Sequence, residues 1–208
     1  MPVITISRMY GSGGGEVAER VAQALDWPLY DNAFVDAVAD RLGLPAAEVA
    51  EREERVQPLV ERLAEALSLA TPEILPSPAG GTPPRHEEQI AAVTTRIIQE
   101  VVARGNAVLV GRGAQSVLAE RTDVIHALCY APHPALVARA MQRLDVSARE
   151  AERIVNETNA EREHYVKQHF KRSWLSFDNY HLCLNTEWLG VDGAAEIVVR
   201  LAREKFGL

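Results

Sequence analysis

The sequence predicts an α/β fold, a parallel β-sheet with helices on both faces. Apolar runs of strand length, "VITIS", "NAVLVG", "DVIHALCYA" and "NYHLCLNT", are separated by segments with helical spacing of their apolar residues. Strands that alternate with helices pair in parallel through right-handed crossovers, which places the helices over the sheet. The first run passes through a glycine cluster straight into a helical pattern, "ITISRMYGSGGGEVAERVAQAL", which is the layout of a phosphate-binding loop.

Taken in order, Val3 to Ser7 reads as a buried strand and Gly13 to Leu25 as a helix, with Val17, Val21, Ala22 and Leu25 on one face. A short strand, "WPLY", ends at Asp31-Asn32, either of which suits the cap of a helix over Ala33 to Leu42. Pro45 to Leu69 is helical and heavily charged, and Pro58 breaks or kinks it. Within it "ERVQPLVERLAEALSL" is apolar on one face, which suits an intramolecular helix or pairing in a homodimer. Prolines and glycines exclude regular structure from "TPEILPSPAGGTPPRH", residues 71–86, a mobile loop within an insertion.

Glu87 to Arg104 is an amphipathic helix, followed by the strand within residues 106–111 and another within 123–131. Pro134 fits the first turn of a helix that runs to about Leu144. Ser147-Ala-Arg-Glu150 has capping-box form and opens a long helix to about Lys171. The last strand lies within 179–186, and the last helix spans Val191 to Phe206.

Composition narrows the partners. A formal charge of −7 opposes a nucleic-acid surface, which needs concentrated Lys and Arg, while a few placed arginines still suffice for a small anion. No apolar run is long enough to cross a bilayer, and Met1-Pro2-Val3-Ile4 enters a strand with no signal-like segment, so a cytoplasmic location is expected. Cys129 and Cys183 sit in apolar strand-like runs and read as buried, reduced thiols. His126, His169 and His181 have no metal-ligand spacing, and no residue is assigned as a metal ligand on spacing. Trp174, Phe177, Tyr180 and Trp188 read as packing residues around the last strand, with base stacking as the other use.

In a parallel sheet, ligands collect outside the carboxyl ends of the strands. After the first strand, Gly11, Gly13, Gly14 and Gly15 permit positive φ and close approach, so that backbone N–H groups can converge at a helix N-terminus; a tight corner would use the same glycines. After the second core strand, Gly111-Arg112-Gly113 sets an arginine where it can fork onto a phosphate or form a surface ion pair. Arg139 and Arg143 share a helix face; Arg149 and Arg153 lie among glutamates and read as a solvated face; Arg162 follows in "NAEREHY".

"ISRMYGSGGGEVA", "VLVGRGAQSVL", "NAEREHY" and "NYHLCLNTEWLGVDGAAEIV" resemble, in order and over nearly the whole chain, the cytidylate kinase-like family, relatives of the nucleoside monophosphate kinases. The resemblance implies a P-loop NTPase-type, three-layer kinase domain with a central five-stranded parallel sheet. It implies a core of residues 1–30, 87–131 and 175–208, a helical acceptor-side insertion over 31–86 and a helical lid over 132–174. It implies transfer of a phosphoryl group from ATP, with Mg²⁺, to a nucleoside monophosphate such as CMP or dCMP. The donor site falls on Arg8, Gly11, Ser12, Gly13, Gly14, Gly15 and Glu16, with Asn185 and Thr186 near the donor base. Asp31 and Arg112 fall on the acceptor side; Arg139, Arg143 and Arg162 fall where lid arginines close over the transferring group.

The departures matter as much. A loop of the form GxxxxGK[ST] uses its lysine on the outer phosphates and its hydroxyl on Mg²⁺. Here Arg8 stands at the first glycine, Gly14 at the lysine and Glu16 near the hydroxyl. Relatives often carry "SRxxGSGGRE", so Arg8 and Glu16 are typical and Gly15, in place of an arginine, is not. Val110 stands where some relatives have a metal-holding acid, which leaves Mg²⁺ to the nucleotide and waters with Ser12, Glu16 or Asp31. Arg8, folded back over the loop, is the expected replacement for the lysine. Two further readings stay open, a nucleotide-binding sensor or scaffold without turnover and a kinase of another small metabolite.

Overall fold

The computed structural model of the chain describes residues 1–31 and 86–208. Its elements are β1 (Val3–Arg8), α1 (Gly14–Leu25), β2 (Leu29–Tyr30), α2 (His86–Arg104), β3 (Ala107–Val110), α3 (Ala114–Val117), β4 (Val124–Tyr130), α4 (His133–Leu144), α5 (Ala148–Phe170), β5 (Leu182–Asn185) and α6 (Thr186–Phe206). The expected helices over 33–42 and 45–69 lie outside the described residues, as does the expected loop from 71 up to the start of α2. The chain divides into two compact units, Met1–Leu29 with Asn106–Leu208, and Tyr30–Gly105. In the second, α2 buries Val93, Ile97, Ile98 and Val101, a stripe at helical spacing.

The sheet has five strands in the order β2-β3-β1-β4-β5. The central strand, β1, runs parallel to both neighbours, with Val3 opposite Ala107 on one side and Val124 on the other. A strand in that position is covered on both faces, so Thr5 and Ser7 are buried along with Ile4 and Ile6. On one face Ile4, Ile6, Val108, Ile125 and Ala127 form a single core with Val17 and Val21 of α1 and Val198 and Val199 of α6. Ala18 and Ala22 of α1 and Ala194, Ala195 and Ala202 of α6 are small enough for close helix approach. Each fully buried Ile or Val contributes roughly 1.5–3 kcal/mol of apolar burial.

Helix ends follow their sequence signals. Ser147 Oγ accepts the Glu150 N–H, as its capping-box sequence predicts, and Asp26, Asp145 and Lys171 close α1, α4 and α5 in the left-handed conformation. The last helix runs from Val191 as expected, and Gly190, at φ 69°, separates it from a short helical turn that Thr186 opens and Asn185 caps. One expectation needs correction. Cys129 is buried, with desolvation pushing its thiol up to about 12, whereas Cys183 is exposed. The cause is topological: β5 is an edge strand, and its alternating residues turn one face to solvent. Among the described residues no helix is long and apolar enough to cross a membrane.

On the opposite face from Ile4 and Ile6, Thr5 Oγ1 bonds the buried His126 Nδ1 at 2.7 Å. The His126 N–H donates to His181 Nδ1 at 2.9 Å, and the two imidazoles stack with centroids 5.1 Å apart. Burial, reinforced by the His181 and Arg172 charges, brings His126 down to about 4 from the ordinary 6.5. Between those values the unfolded chain binds a proton that the folded chain refuses. The stabilisation is therefore complete above pH 6.5 and is lost as pH falls toward 4, by about 3 kcal/mol in all. Urea unfolding across that range should show this fall in wild type and a shallower one in His126→Gln. Equal slopes in the two proteins would show that His126 is not its source.

Candidate functional site

Because the strands are parallel, the segments after β1, β3, β4 and β5 emerge at the same sheet edge. The segment after β1 is a tight turn. Ser12 closes it by giving both its N–H and its hydroxyl to Met9 O, at 3.2 and 2.8 Å. Gly11 and Gly13 take φ 81° and 72°. A Cβ at Gly11 would lie 2.5 Å from Leu136 O, so the α4 backbone rests directly on the turn.

Side chains from distant sequence then occupy the carbonyls. Arg162 of α5 donates to Arg8 O at 2.6 Å, Thr186 of α6 donates to Ser12 O at 2.6 Å, and Val17 N–H donates to Gly13 O at 3.0 Å. Thr186 Oγ1 also lies 3.1 Å from Tyr130 O, joining the loop to the end of β4. The first-turn amides of Gly14, Gly15 and Glu16 have no acceptor among the described residues, as helix geometry requires. The Arg8, Met9, Ser12 and Gly13 carbonyls are therefore occupied while donors remain at the positive end of α1, chemistry that favours an anion over a cation.

The α4–α5 hairpin is the second wall. Leu136, Ala140, Ala151 and Val155 bury one another, and Met9 and Tyr10 from the loop pack against them. Asn159 Oδ1 accepts the Tyr10 N–H at 2.8 Å, and the Arg162 guanidinium carbon lies 5.9 Å from the centre of the Tyr10 ring. Desolvation lowers Arg162 to about 10, which leaves it charged at neutral pH. Asn159 was not among the expected site residues. Its signal is its place in "NAEREHY", three residues before Arg162 and so on the same helix face.

The loop's own positions are tightly constrained. A Cβ at Gly14 would lie 2.4 Å from Arg8 Cβ and 3.0 Å from Cys129 Cβ, so the start of the Arg8 side chain fills the space that a lysine there would need. A Cβ at Gly13 would lie 2.7 to 2.8 Å from the guanidinium atoms of Arg139. At Gly15 the space is open. Arg139 donates to Glu16 Oε1 at 2.8 Å, with the two side chains 36% and 54% exposed. A pair that exposed contributes about 0.2–1 kcal/mol and exchanges readily.

Other expected residues separate by position. Arg143 is exposed in the last turn of α4, one turn beyond Arg139. Gly111, Arg112 and Gly113 all have positive φ, at 74°, 49° and 70°. The ring of Phe170 lies 2.2 Å from where a Gly113 Cβ would stand, so glycine there lets α5 close on the turn after β3. Asp31 is exposed immediately after β2 and belongs to the second unit. Asn185 Oδ1 accepts from Glu187 and Trp188 N–H as the cap of α6, while Thr186 is buried. Arg153 pairs with Glu150 and Glu157 on the solvated face expected for it. The aromatic group divides: Trp174 and Tyr180 are buried, with Tyr180 Oη donating to Trp174 O, but Phe177 and Trp188 are exposed rather than packed.

These distances bear on any attempt to restore the missing lysine. Gly14→Lys is expected to cost about 1–3 kcal/mol by overpacking against Arg8 and Cys129. Thermal unfolding should therefore shift downward; an unchanged melting temperature would contradict the packing described.

Comparison with known proteins follows the same lines. Among solved structures, the chain resembles an uncharacterized protein from Eubacterium ventriosum ATCC 27560 with a TM-score of 0.71 at 20% identity, covering 97% of this chain and 98% of that one. It resembles shikimate kinase from Bacteroides thetaiotaomicron with a TM-score of 0.50 at 12% identity, over 100% and 99% of the two chains. Shikimate kinase from Acinetobacter baumannii, solved in complex with shikimate, gives 0.51 at 13% identity over 98% and 94%. At these identities the likeness establishes the fold, that of the P-loop kinases. No curated protein matches the sequence. The model of the cytidylate kinase-like family matches residues 3–188, which takes in the loop after β1, the Gly111-Arg112-Gly113 turn, the α4–α5 hairpin and the cap of α6, and the chain belongs to that family.

Proposed function

We propose that the protein transfers the γ-phosphoryl group of ATP, with Mg²⁺, to a nucleoside monophosphate of the CMP or dCMP class. The observation that carries this reading is the polarity of the loop after β1: its carbonyls are bonded to Arg162, Ser12, Thr186 and Val17, and its helix-end amides remain as donors. Family membership supports phosphoryl transfer in general.

A polyphosphate fits the residues present. Gly11 and Gly13 hold conformations in which a side chain would strike α4 or Arg139, so their bare backbone lets α4 and the Arg139 guanidinium close on the loop. Arg139 supplies positive charge over Gly13 without a lysine at position 14, while the expected stand-in, Arg8, has its first carbons against Gly14. Mg²⁺ would be held by the nucleotide and waters, with the Ser12 hydroxyl and the Glu16 carboxylate as protein donors, and would supply charge neutralisation at the phosphates. In the reaction, an acceptor phosphate oxygen forms a bond to the γ-phosphorus while the bond to the β,γ-bridging oxygen breaks, and ADP leaves with that electron pair. The attacking oxygen is already anionic, so no general base is demanded. The work of the protein is positioning and charge stabilisation. Arg112 is assigned to the acceptor phosphate and Arg139 and Arg143 to the transferring group. Arg162 holds the loop through Arg8 O, and Asn185 and Asp31 are assigned to the donor-base and acceptor sides.

One feature favours a second reading, a nucleotide-binding protein without turnover: the loop has no lysine and carries a carboxylate, Glu16, in the first turn of α1. An assay of ADP formation from ATP and Mg²⁺ with each nucleoside monophosphate, and with a panel of hydroxylated acids and sugars, separates them. Turnover greatest with a cytidine monophosphate is expected. ATP binding with no turnover on any acceptor would select the second reading, and turnover confined to a non-nucleotide acceptor would reassign the substrate. Arg112→Ala is expected to raise the acceptor KM at least about tenfold, as for loss of a charge-assisted hydrogen bond, with ATP affinity nearly unchanged. Equal loss of both would remove Arg112 from the acceptor side.

A further inference from the structure

We infer that Arg139 is the cation this loop uses in place of a lysine, that Glu16 parks it there, and that polyphosphate binds by displacing the Glu16 carboxylate from the Arg139 guanidinium. The inference deepens the proposed function and rests on its premise that the loop after β1 receives a polyphosphate.

Three observations carry it. Position 14 is closed to any side chain by Arg8 Cβ at 2.4 Å and Cys129 Cβ at 3.0 Å, so the cation must come from elsewhere. The Arg139 guanidinium supplies one, because its Nη1, Nη2 and Cζ lie 2.7 to 2.8 Å from the position a Gly13 Cβ would take. A side chain of any size at Gly13 would expel it, which gives that glycine a second purpose beside its φ of 72°. Third, the contact fixing the guanidinium is a hydrogen bond from Nη2 to Glu16 Oε1 at 2.8 Å, made by a residue of the same first turn whose amides form the anion site.

The Glu16 carboxylate is thus an internal competitor. It lies beside the positive end of α1, where a negative charge is favoured, and it carries the oxygen geometry that a guanidinium recognises. A phosphate in the same place offers more oxygens and more charge, and the exposed pair yields to it. The guanidinium is planar with five donors, so Nη2 can change partner while the side chain keeps its place over Gly13. Arg139 comes from α4, whose backbone at Leu136 already rests on Gly11, so its delivery is built into the packing of the hairpin on the loop. Glu16 is in these terms a positioning residue and Arg139 a phosphate-binding one.

Calorimetric titration of the full chain with inorganic tripolyphosphate, and with ATP in EDTA, tests the exchange without reference to turnover. Thermal unfolding confirms that each variant is folded, and Arg139→Gln, which keeps part of the stem, accompanies Arg139→Ala. Both are expected to weaken binding at least about tenfold, as loss of a charge-assisted contact does. Glu16→Gln is expected to tighten it by about two- to fivefold, the range of an exposed ion pair removed from competition. In the double variant Glu16→Gln/Arg139→Ala the affinity should equal that of Arg139→Ala, because the carboxylate acts through the guanidinium. Folded Arg139 variants that bind as wild type does would overturn the assignment of the cation. Tightening by Glu16→Gln that persists without Arg139 would overturn the exchange, since it would mark direct repulsion, and so would weakening by Glu16→Gln. A wild type that binds neither probe removes the premise along with the inference, whereas failure of the variants alone leaves the proposed reaction standing.

Discussion

The site depends on where the carbonyl oxygens of one short turn go. A strand-to-helix turn presents N–H and C=O groups together, and as long as both are free it discriminates little between an anion and water. In this protein the Arg8 and Ser12 carbonyls are bonded by Arg162 and Thr186, 154 and 174 residues away in sequence. Ser12 turns the Met9 carbonyl inward. The turn becomes one-sided in its electrostatics, and that one-sidedness needs the last strand, the last helix and the α4–α5 hairpin to be in place. Tertiary packing is thus converted into a local preference for negative charge.

The same arrangement accounts for the unusual distribution of charge around the loop. Arg8 at the end of β1 brings its first carbons against Gly14, which bars a side chain from the position where the GxxxxGK[ST] form has its cation. A positive charge reaches the loop by geometry rather than by sequence neighbourhood: α4 lies on Gly11 and carries Arg139 over Gly13. Glycine is required at these positions by what lies over them, an α4 carbonyl at Gly11, a guanidinium at Gly13 and the Arg8 side chain at Gly14. Gly15, which faces open space, has no such requirement.

Much of the fold was legible beforehand. The five strands, the helix after the glycines and the Ser147 cap follow from short-range rules, in which a residue's role depends on neighbours within one turn or one strand pair. The errors arose where position in the sheet decides. Cys183 looks as buried as Cys129 in sequence, yet β5 is an edge strand and exposes it. Phe177 and Trp188 are as apolar as Trp174, and nothing in their immediate sequence tells that they face solvent. The helix expected from Val191 is present, and what the sequence reading left out is the short turn before Gly190 that Asn185 caps.

By itself the sequence determined the class of fold, the location of a glycine-rich turn after the first strand, and the set of arginines available to it, since these depend on periodicity, glycine content and the direction of parallel strands. Only the tertiary structure decided which arginine reaches the turn, that Arg162 and Thr186 serve its carbonyls, and that Asn159 belongs with them. The physical reason is reach. Hydrogen bonds and steric exclusion act over about 3 Å, and no local pattern in a chain reveals which residues more than a hundred positions apart will be brought within that distance.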